Sequence, residues 1–287
     1  MTDLHTIADA LAWARQALAH TPAAEPLDAP VLLAHVLGCD RAALLAHPER
    51  LLTASQATAF QALVARRATG VPVPYLTGRR AFFDLELWVT PAVLIPRPET
   101  EHLVELALTW ARTRGGQVRL VDVGTGSGAI ALALARHLPD AQVWAVDVSP
   151  AALRVARANA ARWKLSERIH FVQGDLLTAF GGAAPPFDLI AANLPYIPTP
   201  TLESLPVAWH EPHLALDGGP DGLALIRRLL ADAPRLLAPG GLLLVEIEAT
   251  QGEHVPVLAA LAFPAAEIRV HQDYAGLPRV VSVERKP

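Results

Sequence analysis

Residues 120–128 read Leu120-Val121-Asp122-Val123-Gly124-Thr125-Gly126-Ser127-Gly128, an apolar run that ends on three alternating glycines. A short apolar run stopped by glycine is the signature of a buried strand entering a tight turn. Glycine tolerates unusual dihedrals there and lets the backbone approach a ligand closely. The spacing is G-x-G-x-G rather than the dinucleotide pattern G-x-G-x-x-G, which disfavours an NAD dehydrogenase. An ordinary strand–helix turn would have the same look, so the surroundings must decide.

Downstream, strand-like and helix-like stretches alternate. Strands are expected at 118–123, 142–147, 168–173, 187–192, 241–247, 267–271 and 279–284, and helices at 127–137, 150–163, 221–236 and 251–260. Such βα alternation predicts an α/β fold with a doubly wound, mostly parallel, seven-stranded sheet. The link from Gln272 to Pro278 is too short for a helical crossover, so the last two strands are expected to run antiparallel to each other.

Upstream the pattern differs. Residues 1–70 read as a small helical domain, a candidate substrate-recognition module. Asp28, Asp40 and Ser55 are placed to cap helices, and Gly38 and Gly70 to end them. Residues 71–90 read as a β-hairpin linker. Val71-Pro72-Val73-Pro74 cannot continue a helix, and Phe83, Leu85, Leu87 and Val89 then alternate with more polar neighbours. Residues 91–287 make up the α/β domain. Near its start, Glu99 and Glu101 fall in the first turn of a helix through Ala111, where acidic residues are favourable.

Composition narrows the functional classes. Of 287 residues, 52% are hydrophobic and 18% charged, enough for a substantial core. No apolar run reaches the ~18 residues of a membrane helix. Met1-Thr2-Asp3-Leu4-His5 has no basic stretch ahead of an apolar one, so no secretory leader is expected. Cys39 is the single cysteine and reads as a small buried apolar residue; a reducing cytoplasm fits. The net charge of −4 argues against direct nucleic-acid binding. Arg66-Arg67 reads as a solvated helix end and Arg79-Arg80 as a loop. His210-Glu211-Pro212-His213 departs from the zincin spacing, and no metal is expected.

Ligands of open α/β sheets bind beyond the carboxyl ends of the strands. There the glycine turn Gly124, Thr125, Gly126, Ser127, Gly128 is joined by Asp147, which ends the second strand and can accept from both ribose hydroxyls of a nucleoside. Asp175, after the third strand, can accept from an adenine amino group. Together they form a nucleoside pocket like that of class I S-adenosylmethionine-dependent methyltransferases.

The fourth strand ends in Asn193-Leu194-Pro195-Tyr196. Asn193 offers an amide oxygen, and Leu194 a carbonyl that Pro195 helps hold extended. Tyr196 offers an aromatic face. Two acceptors and a flat surface suit a planar group with a weakly nucleophilic NH2. These four residues are therefore the catalytic and substrate-binding candidates, and methyl transfer to nitrogen is the expected chemistry.

The chain resembles the peptide-chain release factor glutamine methyltransferases, the HemK/PrmC family. The resemblance rests on Pro74-Tyr75-Leu76-Thr77-Gly78, on Val93-Leu94-Ile95-Pro96-Arg97-Pro98-Glu99-Thr100-Glu101, on the glycine turn, on Asn193 to Ile197, and on Glu211-Pro212, Asp221-Gly222-Leu223 and Glu246-Ile247. It implies a five-helix N-terminal domain, a hairpin linker and a methyltransferase domain. It also implies S-adenosyl-L-methionine as cofactor and methylation of the glutamine amide in the Gly-Gly-Gln loop of bacterial release factors. By this similarity Gly124 to Gly128, Asp147, Leu176 and Asn193 contact the cofactor, and Asn193 to Tyr196, with Arg97, hold the substrate. The family usually has proline at Leu194 and glycine at Glu248. Leucine retains the backbone carbonyl; Glu248 has no physical account from the sequence. The rival readings are an adenine amino-methyltransferase acting on DNA or RNA, whose flipped base offers a similar NH2, and a non-catalytic nucleoside-binding protein.

Overall fold

The structure is a computed structural model and describes residues 4–21, 24–181 and 184–287. Met1, Thr2 and Asp3, where no leader was expected, lie outside them. Two compact units emerge, Met1–Arg79 and Arg80–Pro287.

The first unit is helical, with α1 (Ile7–Leu18), α2 (Asp28–Leu37), α3 (Arg41–Ala46), α4 (Ala54–Ala68) and α5 (Val73–Thr77). Ile7, Leu11, Leu32, Leu33, Phe60 and Val64 build its core. Asp40 caps α3 as expected, accepting from the Ala43 N–H at 2.8 Å. The cap of α4 is Thr53, not Ser55, because Thr53 and Gln56 satisfy each other's backbone N–H groups as a capping box. Asp28 is the first residue of α2 rather than its cap. Its buried carboxylate accepts from Arg67 Nε at 2.7 Å, so only Arg66 of the Arg66-Arg67 pair is solvated. Cys39 is half-buried against this core rather than fully enclosed. Residues 73–77 form a helical turn where extended chain was expected. Pro72 is its N-cap and Pro74 lies in its first turn, where a missing N–H costs nothing.

The second unit opens with a hairpin, β1 (Arg79–Phe82) and β2 (Leu85–Trp88), which places Arg79 and Arg80 on a strand instead of a loop. There follow α6 (Glu99–Arg114), β3 (Arg119–Val123), α7 (Ala129–His137), β4 (Gln142–Asp147), α8 (Pro150–Arg162), β5 (Ile169–Gln173) and β6 (Phe187–Ala192). The chain ends with α9 (Thr199–Leu202), α10 (Ala224–Leu236), β7 (Leu237–Glu246), α11 (His254–Ala262), β8 (Glu267–Gln272) and β9 (Pro278–Glu284). The seven strands lie in the order β5-β4-β3-β6-β7-β9-β8. The first five are parallel, and β9 is antiparallel to both its neighbours. Strand β7 begins earlier than residue 241 because a register shift opposite Phe187–Leu189 takes up the extra residues between Leu237 and Leu242.

The sheet is buried on both faces, as parallel strands require. Leu120, Leu189 and Leu244 pack on one face against Leu103, Leu132 and Leu134 of α6 and α7. Val121, Ile190 and Leu243 pack on the other against Ile226, Leu229 and Leu230 of α10. Each such aliphatic contributes about 1.5–3 kcal/mol by leaving water. Strand order reverses between β3 and β6, so a crevice opens beyond their carboxyl ends.

Candidate active site

At the end of β3 the backbone turns over three glycines of positive φ, Gly124 at 77°, Gly126 at 55° and Gly128 at 84°. The N–H groups of Gly124 and Thr125 both donate to the Val146 carbonyl, each at 2.9 Å, tying the turn to β4. A Cβ on Gly128 would lie 2.5 Å from Leu132 Cδ1 and 3.2 Å from Ala156 Cβ. Gly128→Ala is expected to cost about 1–3 kcal/mol through this overlap and its positive φ. A lowered denaturant midpoint at unchanged slope would be the readout.

Asp147 closes the turn from the β4 side. One carboxylate oxygen accepts from the Gly126 N–H at 2.9 Å and the other from the Ser149 N–H at 2.8 Å. Burial pushes this carboxyl up, and the amides pull it down. Each oxygen keeps a lone pair, which suits a neutral diol such as a ribose edge. Asp122 is fully buried below. Its Oδ2 accepts from Thr125 Oγ1 at 2.6 Å and from the Ala131 N–H at 3.1 Å, while Oδ1 has no partner. Burial, with the charge of Asp147 adding to it, drives Asp122 up to about 7.

On the adenine side, Asp175 is exposed and one of its oxygens pairs with Arg228 of α10 at 2.6 Å. Leu176 has a φ of 51°. Its side chain belongs to the buried cluster with Val146 and Leu177.

On the acceptor side, Asn193 Nδ2 donates to Thr100 Oγ1 at 2.9 Å. Neither Asn193 Oδ1 nor the Leu194 carbonyl is engaged by a described residue. Leu194 Cδ2 lies 3.0 Å from where a Cβ on Gly124 would stand, so the leucine packs beneath the glycine turn and joins the two halves of the site. A cavity of about 280 Å³ is lined by Leu94, Arg97, Asn193, Leu194, Pro195 and Tyr196, with Val207 and Leu216 beyond. That is room for one side chain, below the usual range for drug-sized ligands. Burial and the nearby Glu246 push the Tyr196 hydroxyl up to about 12, so it stays a neutral phenol.

Six residues to which sequence reasoning assigned no role hold this arrangement. Glu211 is buried, accepts from the Ile95 N–H at 3.0 Å and pairs with Arg97, so Arg97 reaches the cavity with its charge already balanced. Gln251 Nε2 donates to the Tyr196 and Gly222 carbonyls, each at 3.1 Å. Glu248 shares a capping box with Gln251, which accounts for a carboxylate the sequence left unexplained. Thr100, Asp122 and Glu246 complete the set. Their signal was present: Asp122 and Glu246 are acidic residues inside apolar strands, and Thr100 and Glu211 sit within quoted motifs. Among the described residues no group of three or more His, Cys, Asp or Glu side chains is placed to hold a metal ion.

A family model described as PrmC N-terminal domain matches residues 9–78, and one described as methyltransferase domain matches residues 120–211. A release factor glutamine methyltransferase of Moorella thermoacetica is 45% identical over 283 residues, covering 98% of this chain and 99% of that protein. The chain belongs to the release factor glutamine methyltransferase family. A second member, from Gloeobacter violaceus, is 45% identical over 284 residues, 94% of each chain. Among solved structures, a methyltransferase from Pyrococcus furiosus superposes with a TM-score of 0.53 at 18% identity, covering 79% of this chain and 98% of that one. A Thermus thermophilus 16S rRNA N2 G1207 methyltransferase, in complex with AdoMet and guanosine, gives 0.52 at 19%, covering 72% and 50%. These two demonstrate a shared methyltransferase fold. Family membership, carried by the full-length relatives, also covers the helical unit.

Proposed function

We propose that this chain transfers a methyl group from S-adenosyl-L-methionine to the side-chain amide nitrogen of the glutamine in the Gly-Gly-Gln loop of bacterial peptide-chain release factors. One observation carries the reading. Asn193 and Leu194, whose amide oxygen and carbonyl are engaged by no described residue, line a one-side-chain cavity, and Leu194 also packs against Gly124 of the glycine turn.

When bound, the cofactor supplies an electrophilic sulfonium methyl. The residues present fit it: the glycine turn leaves no Cβ to block close approach, and Asp147 keeps lone pairs for a ribose diol. An amide nitrogen is a poor nucleophile because its lone pair is delocalised. Asn193 Oδ1 and the Leu194 carbonyl accept its two hydrogens and aim the lone pair along one line. Alignment of this kind is worth up to ~7–11 kcal/mol in ideal cases. Tyr196, uncharged, offers its flat face to the carboxamide.

The N-terminal helical unit is the candidate recognition module for the protein substrate, and a substrate used in translation places the reaction in the cytoplasm. Removal of residues 1–79 is expected to lower activity on intact release factor at least about tenfold while cofactor binding persists; equal activity of the truncated and full-length proteins would rule that role out. The function itself is tested by incubating enzyme, labelled cofactor, release factor and adenine-containing oligonucleotides together. Mass spectrometry is expected to find one added methyl on the Gly-Gly-Gln glutamine. Label in adenine instead would overturn the reading.

A further inference from the structure

Asn193 suits the proposed acceptor site only if its amide presents oxygen, not nitrogen, to the cavity. The two ends are nearly alike in shape, and a flipped amide would offer donors to a substrate NH2 and repel it. Thr100, second residue of α6, and Glu246, last residue of β7, are 3% and 1% exposed. The parallel pairing of Ala192 with Val245 brings the next residues along, Asn193 and Glu246, side by side. Neither carboxylate oxygen of Glu246 makes a hydrogen bond of ordinary geometry, although the Thr100 hydroxyl and the Asn193 amide are close enough to favour its charged form. An ionised carboxylate only accepts. Glu246 is the neighbouring acceptor available to the Thr100 proton. With the proton turned that way, Thr100 Oγ1 keeps a lone pair that only an NH2 can meet, and Asn193 Nδ2 donates to it at 2.9 Å.

We propose that Thr100 and Glu246 are positioning residues that fix the Asn193 amide with Oδ1 toward the substrate nitrogen. This rests on the glutamine-methylation reading above. It also predicts a pH dependence. Burial pushes Glu246 up to about 7; Arg279 on β9 favours its charge, while Glu99 on α6 opposes it. Once protonated, Glu246 can donate to Thr100 Oγ1, and Thr100 can then donate to a flipped Asn193. The rate should fall as pH drops through that titration.

The test uses the full-length enzyme and intact release factor. Thr100→Val is expected to lower kcat about 10- to 100-fold with KM for release factor little changed, and Thr100→Ser to restore most of it. Glu246→Gln, which cannot ionise, is expected to lose the acid limb of the pH–kcat profile. A purely packing role would lower activity alike at every pH. Thr100→Val at wild-type kcat, or Glu246→Gln with the wild-type acid limb, overturns the positioning role while leaving the function standing. If Thr100→Val fails to fold by circular dichroism, the Glu246→Gln profile decides alone. Wild-type enzyme that never methylates release factor overturns the functional reading, and the positioning role falls with it.

Discussion

Asn193→Ala is expected to lower the rate of methyl transfer by about 10²–10³-fold, the usual cost of deleting one preorganised polar group aimed at the reacting centre. The loss has a specific origin. Asn193 stands at the end of β6, held on one side by Thr100 and packed through its neighbour Leu194 beneath Gly124. Alanine keeps the packing of Leu194 but removes the whole amide, so one substrate N–H loses its acceptor and Thr100 Oγ1 loses the Nδ2 donor. The substrate amide then rotates about its remaining bond to the Leu194 carbonyl, and the nitrogen lone pair spends less time in line. Single-turnover measurement separates this from product release. Asn193→Asp is a sharper comparison. It keeps an acceptor of the same shape but loses the donor to Thr100 and sets a second carboxylate beside Glu246. It should be nearly as slow as alanine, because a held oxygen matters and a loose one does not. Near-normal turnover of Asn193→Ala would remove the residue from the mechanism altogether.

Much of the α/β unit could be read from local pattern. The glycine turn at 124–128, the carboxylate ending β4 and the tetrapeptide after β6 each lie at a strand end, and strand ends are marked by the switch from apolar runs to glycine and polar residues. The antiparallel pairing of β8 and β9 followed from the length of their connection alone. What was not legible is what depends on distant parts of the chain meeting. Nothing local says that Glu211 receives the Ile95 N–H across a separation of 116 residues, or that Glu101 receives the Phe83 N–H at the hairpin turn. The Ile95–Glu101 segment could be recognised as a motif without its work being understood. Its residues are fasteners: Ile95 and Arg97 to Glu211, Thr100 to Asn193, Glu101 to the hairpin. The partner of Asp175 was equally illegible: one of its oxygens pairs with Arg228 on α10, 53 residues away. Pro72 and Pro74 were misread because proline was weighed as a helix breaker and not as a first-turn residue.

Asp147→Ala is expected to raise the dissociation constant for the cofactor by about 10²–10⁴-fold, from two lost hydrogen bonds to a charged acceptor at about 1.5–3 kcal/mol each. Two effects are folded into that figure, and they can be separated. In the proposed reading the carboxylate accepts from the ligand's hydroxyls; it also holds the Gly126 N–H at 2.9 Å, so its removal loosens the glycine turn. Asp147→Asn retains one acceptor for the turn but loses the charge and half of the accepting capacity. It should fall between wild type and alanine if ligand contacts dominate, and near wild type if the turn is what matters. Titration calorimetry of the three proteins distinguishes these cases, and an unchanged constant for Asp147→Ala would exclude both. The sign of the pH effect follows from burial. Because desolvation raises the Asp147 carboxyl, the charged form that binds hydroxyls best is lost sooner on acidification than for a solvated aspartate. Cofactor affinity should therefore weaken as pH falls through that raised value in wild type, and the weakening should vanish in Asp147→Asn. This acid sensitivity lies in binding, whereas that of Glu246 lies in turnover at saturating cofactor, so the two carboxylates can be told apart in one set of measurements on the same enzyme.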